Sequence, residues 1–211
     1  MNWEMILSGV TAATAILGIW LTWVQIRKSN KQALFEKRIK YIIIVSGLIK
    51  LYKNNREGIL KDIDDKKSPD FSNDSKFREL TNNTYLSTVS NVIQHPKDDS
   101  IRKNFLTALE DMEKLNWKIK LSFRCKASIL TGDFVYQYQK TLRKMYGYQI
   151  VLNKIDECNK KEARKLEEWQ EETGEIEHIK KLWNQYGELE NAYNKLVKNK
   201  SMEKLNKQTK I

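Results

Sequence analysis

Two histidines, two cysteines and scattered carboxylates are the residues with which this chain of 211 could do acid–base, nucleophilic or metal chemistry. Glu175-Ile176-Glu177-His178 has the Glu-x-x-His spacing, which sets a carboxylate and an imidazole on one helix face as half of a di-iron bundle site. The second half is missing, because His95 has Val92 where its carboxylate would stand. The match reads as coincidence and His178 as a solvated helix residue. A zinc site would have to gather Cys125, Cys158, His95 and His178 from four scattered places, so no metal is expected. Neither cysteine has a local signature that pairs it with histidine, and each reads as a small core residue. Neither G-x-x-x-x-G-K-[ST] nor G-x-G-x-x-G occurs, so phosphate-cradling loops are not expected. No Arg stands within ten residues before either His, which removes the Arg-then-His arrangement of many helical nucleases. Glu167/Glu168 and Glu171/Glu172 fall in a strongly polar stretch and read as a solvated face. The residues point to a non-enzyme with no cofactor and no metal.

Charge is distributed more tellingly than chemistry. The net charge is +11, with 31% charged and 40% hydrophobic residues, which excludes both a disordered acidic chain and a polytopic membrane protein. Residues 27–63 hold ten Lys/Arg against three Asp/Glu, a net +7. Residues 195–211 hold six Lys against Glu203, a net +5, and the remainder sums to −1. Eight of the 38 basic residues are Arg, and the tail has neither Arg nor an aromatic after Tyr193. Nucleic acid, which profits from Arg and interleaved aromatics, is therefore disfavoured as a partner.

The +7 block follows a segment of a different kind. Met5 to Val24 is twenty residues without a charge or a proline. At about 1.5 Å per residue it spans roughly 30 Å, the thickness of a bilayer's hydrocarbon core. Trp3 precedes it, and Trp20 and Trp23 close its far end, where indoles favour the membrane–water interface. A cleaved signal peptide would need a basic leading region, whereas the charge before the run is Glu4; the Ala13-Thr14-Ala15 triplet lies inside the apolar run. The segment predicts a transmembrane anchor. Arg27, Lys28, Lys31, Lys37, Arg38 and Lys40 follow within the distance that sets orientation and are candidates for contact with the anionic inner leaflet. They predict a single-pass protein of the cell membrane, N-terminus outside and C-terminal part cytoplasmic, with reduced cysteines. Ser8, Thr11, Ala15, Gly18 and Thr22, leading on to Gln25, recur at alternating spacings of three and four. They form a stripe of small or weakly polar residues along which two spans can approach. Gly9 and Ala13 make a competing small pair on another face.

The elements that follow read as helices. Tyr41 to Ile49, nine apolar residues between Lys40 and Lys50, is too short to span and fits a buried cytoplasmic helix. Leu34, Phe35, Ile39, Ile42, Val45, Ile49 and Tyr52 hold helical spacing, and no Pro or Gly interrupts residues 20–46, so the anchor helix is expected to run on. Asp64 to Asp74 reads as a loop. A helix is expected from about Ser75 to before His95-Pro96, and another from a cap at Asp98, Asp99 or Ser100, with an apolar face of Phe105, Leu109, Met112, Leu115 and Ile119. Gly132-Asp133 reads as a break and a cap. Phe134, Tyr138, Leu142, Met145, Tyr148, Leu152 and Ile155 then begin a long helix. A polar tip at 158–174, with Ala163, Leu166 and Trp169 as its apolar contacts, turns at Thr173-Gly174. Ile176, Ile179, Trp183, Tyr186, Leu189, Tyr193 and Leu196 return. The fold class expected is all-α: one N-terminal transmembrane helix, then a cytoplasmic helical bundle with a long C-terminal antiparallel helical hairpin. The segments are 1–26 (anchor), 27–63 (basic juxtamembrane helix), 64–132 (bundle segment), 133–198 (hairpin) and 199–211 (basic tail).

The start of the chain resembles a loose group of uncharacterised bacterial membrane-anchored proteins. The shared features are the N-terminal span, the linker Gln25-Ile26-Arg27-Lys28-Ser29-Asn30-Lys31 and then Leu34-Phe35-Glu36-Lys37-Arg38. The resemblance covers about 40 of the 211 residues. It implies an accessory protein of a mobile element or phage-defence locus and transfers no catalytic residue. The function expected is a membrane-anchored helical interaction or effector protein that meets a protein partner or a second copy through its span. An oligomerising membrane-perturbing toxin or exclusion factor, with Ser8, Thr11 and Thr22 lining a narrow wet path, and an enzyme with a scattered site are the alternatives.

Overall fold

Between Trp3 and Asp65 the chain has no proline and four isolated glycines, and it folds as one helix, α1 (Trp3–Asp65), of 63 residues and roughly 95 Å. The computed structural model describes residues 3–65, 72–123, 125–161 and 166–209. After α1 come α2 (Ser72–Thr81), a 3-10 turn (Ser87–Val89), α3 (Asp99–Ser122), α4 (Lys126–Lys161), α5 (Leu166–Thr173), α6 (Glu175–Lys198) and α7 (Ser201–Lys207). Among the described residues there is no strand.

The second half of α1 is a core element. Val45, Leu48, Tyr52 and Ile59 are fully buried, spaced three, four and seven residues apart on the face of α1 that packs against α2, α3, α4, α6 and α7. Tyr52 packs edge-on against Phe134 of α4 and Tyr193 of α6, with ring centroids 6.1 and 5.1 Å away. Such pairs add about 0.5–1.5 kcal/mol beyond area burial. α4 and α6 run in opposite directions. Gln185 Nε2 donates to Gln137 Oε1 at 2.9 Å, while Tyr148 Oη donates to Glu175 Oε1 at 2.6 Å. Gly174, at φ 65°, occupies the left-handed region that favours glycine and turns the chain from α5 into α6.

Three expectations about element ends are corrected. The helix expected from Ser75 to His95 is α2, which begins at Ser72 and stops at Thr81. Thr81 Oγ1 bonds back to the carbonyls of Phe77 and Arg78, and Asn83 Oδ1 takes the Leu86 N–H at 2.8 Å, so side chains replace the helical ladder. The loop expected over 64–74 overlaps both helices, since α1 reaches Asp65; residues 66–71 lie outside the described residues. Instead of breaking at Gly132-Asp133, the chain ends α3 at Ser122 and begins α4 at Lys126, and the segment boundary at 132/133 falls inside α4. Gly132 is needed for proximity: a Cβ there would stand 2.6 Å from Asn116 Oδ1 and 2.7 Å from Lys120 Cε on α3. Of the three candidate caps for α3, Asp98 does the work, accepting from the Ile101 N–H at 3.0 Å. Ile176, expected on the buried face of α6, is 53% exposed, and Leu182 fills the core instead. In the polar tip, residues 162–165 and the side chains of Leu166 and Trp169 lie outside the described residues.

Candidate functional site

α1 divides into a packed limb and a bare one. Trp3, Leu7, Val10, Ile16, Leu17, Ile19, Trp20, Leu21, Trp23 and Ile26 are all largely exposed, although each is a large apolar residue. By length and composition this is the one helix among the described residues able to cross a membrane. Its threonine hydroxyls bond back within the helix: Thr11 Oγ1 donates to the Leu7 carbonyl (2.9 Å), Thr14 to Val10 and Thr11, and Thr22 to Gly18 (2.8 Å). Bonded in this way, a hydroxyl offers little to a water path but leaves a narrow surface for close approach. Ser8, Thr11, Ala15, Gly18 and Thr22 are all exposed along one line of this limb. Arg27 stacks over Trp23, 5.3 Å from the ring centre, where the bare apolar run ends.

The six collar cations do not share one fate. Arg27, Lys28, Lys31, Lys37 and Lys40 are exposed. Arg38 is turned inward as a joint. Its Nε and Nη2 donate to the Ser122 carbonyl (3.0 and 2.7 Å), its Nη1 donates to the Gln208 carbonyl (3.2 Å), and its guanidinium lies 5.2 Å from the Phe123 ring centre. These are orphan carbonyls at and just beyond the C-termini of α3 and α7, where a cation is favoured. The planar five-donor guanidinium can serve two such ends at once.

Two polar clusters were not anticipated. Glu190 of α6 accepts from Tyr52 Oη (2.8 Å) and Asn194 Nδ2 (2.7 Å), and forms a two-pronged ion pair with Arg56 of α1. The Arg56 hydrogen bonds hold the Glu190 carboxyl below the usual carboxylate range, against an opposing push from burial. Burial and the adjacent Glu190 push the Tyr52 hydroxyl up, so it remains a donor. Glu175, 4% exposed, takes the Tyr148 hydroxyl in the first turn of α6, where the helix dipole favours negative charge. Glu175 thus points inward while His178 is exposed, so the Glu-x-x-His pair does not converge. His95 is exposed as well.

Nothing among the described residues groups three metal-ligating side chains. Cys125 and Cys158 are free thiols and half-buried, less enclosed than core residues. An open cleft of about 340 Å³ beside α2 is bordered by Arg78, Glu79, Asn82 and Asn91. Its Ser87 and Ser90 hydroxyls donate to backbone carbonyls, an arrangement without a nucleophile–base pair among its lining residues. No family model, curated protein or solved structure matches the chain.

Proposed function

We propose that this protein is a single-pass, membrane-anchored helical interaction protein whose bundle lies on the cytoplasmic side, and that two copies associate along α1. The observation that carries the reading is the division of one unbroken helix into a bare apolar limb and a limb built into the bundle core. A bare limb some twenty apolar residues long, ended by tryptophans and then cations, has lipid as its matching environment. The cations that follow it favour the cytoplasm for the bundle.

Pairing is supported by the register of α1. The line Ser8, Thr11, Ala15, Gly18, Thr22 and Gln25 continues at the same spacing through Ser29, Gln32, Glu36, Ile39 and Ile43. Ile43 is 66% exposed although the opposite face of α1 is buried through Val45 and Leu48. None of the collar cations stands on this line, which ends at Lys50. A strict seven-residue period stays on one face when two helices supercoil left-handedly, and copies sharing one membrane orientation are held parallel.

Disulfide crosslinking in native membranes tests this, on a Cys125→Ser/Cys158→Ser background. Ala15→Cys and Ile43→Cys are expected to give dimers, and Leu17→Cys, on the far face of the span, is not. Dimers from Leu17→Cys alone, or from none of the three, overturn the pairing. Protease attack on the bundle from the outer side of intact cells overturns the topology.

A further inference from the structure

We propose that the end of the bundle nearest the span docks onto anionic lipid headgroups, with Leu121 and Trp117 of α3 at its rim. This rests on the reading of the bare limb of α1 as a membrane span.

Three stretches far apart in sequence meet at this end. Arg38 ties α1 to the Ser122 and Gln208 carbonyls. Tyr41, Ile42 and Val45 share a small apolar pocket with Ile119, Phe123, Met202 and Leu205. The C-terminus of α3, the start of α4 and all of α7 are thereby drawn to the level of residues 38–45. α7 reaches that level because Lys200, at the left-handed φ of 49°, turns the chain out of α6.

The charge follows the geometry. Residues 27–40 bring six cations against Glu36; α3 and α4 bring Lys118, Lys120 and Lys126; and the α7 region brings Lys200, Lys204 and Lys207 against Glu203. With Asp133, which pairs with Lys120, counted against them, that is a net +9 at one end of a molecule whose total is +11. Lys120 is engaged with Asp133 at 2.8 Å, whereas Lys118, Lys126, Lys204 and Lys207 are exposed. Each free cation near an anionic leaflet contributes about 1 kcal/mol. At the same end Leu121 is 77% exposed, as bare as Trp3 beside the span, and Trp117 one turn above it is 57% exposed. An apolar edge ringed by lysines suits a lipid surface, which offers negative headgroups over a hydrocarbon layer.

The heights agree. Twelve residues separate Ile26 from Arg38, about 18 Å of helix. A tilt of about 20°, common for spans, lowers the far side of a bundle two helix diameters wide by about 8 Å. The headgroup layer adds about 5–8 Å, which leaves a gap shorter than the Debye length of about 8 Å.

Full-length protein in vesicles tests the inference. An environment-sensitive dye is placed on Leu121→Cys, Ile176→Cys or Leu17→Cys in the Cys125→Ser/Cys158→Ser background, and nitroxide lipids serve as quenchers. In vesicles of about one-third phosphatidylglycerol, headgroup quenching at Leu121→Cys is expected to exceed that at Ile176→Cys by about threefold, and to fall by about half in pure phosphatidylcholine or near 1 M salt. Charge reversal of the exposed Lys118, Lys126 and Lys204 to Glu is expected to remove the excess while leaving the melting of the bundle unchanged. Equal quenching at Leu121→Cys and Ile176→Cys, or an excess indifferent to lipid charge, overturns the proposal. Acyl-chain quenching at Leu17→Cys reports the span separately: its absence sinks the anchor, and its presence beside an unquenched Leu121→Cys sinks only the docking.

Discussion

Glu190 shows how one side chain can hold two distant helices together. It is mostly buried, it lies between Tyr52, Arg56 and Asn194, and each partner donates to it. Removing its charge leaves Arg56 facing a neutral amide across the α1–α6 contact. Glu190→Gln is expected to cost about 1.5–3 kcal/mol, the range for a hydrogen bond to a charged group. The pH dependence has a definite sign. The native carboxyl titrates below its ordinary value of 4.5, so its stabilisation is complete above that value and fades as pH falls through the native one. Detergent-solubilised protein should therefore lose melting temperature on acidification from pH 6 to pH 3 more steeply than Glu190→Gln. Parallel acid profiles for the two proteins would remove Glu190 as the cause. Arg38 acts likewise as a joint, its guanidinium donating to the Ser122 and Gln208 carbonyls.

Single helices differ in what they ask of the same residue type. Gly132 and Gly147 both sit inside α4. Gly132 faces α3 at a distance that leaves no room for a methyl group, with the buried Asn116 side chain 2.6 Å from the Cβ position. Gly147 has nothing within 4 Å of that position. Gly132→Ala is therefore expected to destabilise by about 1–3 kcal/mol through overpacking. Gly147→Ala is expected to stabilise by about 0.5–1 kcal/mol through lost freedom of the unfolded chain. Thermal or urea unfolding of the two variants checks the opposite signs; equal effects would mean that the α3–α4 approach is not what glycine serves at 132. The same contrast explains the misplaced break in α4. A Gly-Asp pair resembles a helix boundary in sequence, but here it marks the place where two helices touch.

At the scale of the molecule, α1 is both a bare apolar limb and a core element, so the bundle is coupled to whatever surrounds the bare limb. Asn30, exposed between the two limbs, is the place to test the coupling. Asn30→Pro removes the N–H that completes the helical ladder to Ile26 and kinks the helix. The bundle's unfolding free energy is expected to change by no more than about 0.5 kcal/mol, since residue 30 faces solvent. The anisotropy of a fluorophore on the bundle in neutral vesicles should fall, because the joint is loosened. Unchanged anisotropy would mean that the two limbs are coupled by something other than the unbroken helix.

Helical class and the bare apolar run were legible in the sequence, because both depend on short-range order. Spacings of three and four, the lack of proline and the twenty uncharged residues are properties of neighbours along the chain. So were a cap within Asp98–Ser100, which the structure narrows to Asp98, and the inward line Phe134, Tyr138, Leu142, Met145 and Tyr148. The end of α2, the role of Gly132 and the inward turn of Arg38 were not, since each depends on which helix lies alongside. The same holds for the joining of Tyr52 and Arg56 to Glu190, residues some 130 positions apart. Sequence located a basic collar and a basic tail as separate features. Only the tertiary structure decided that they share one end of the molecule with Lys118, Lys126 and the bare Leu121. Charges add at a surface according to distance in space, and that distance is set by packing rather than by position along the chain.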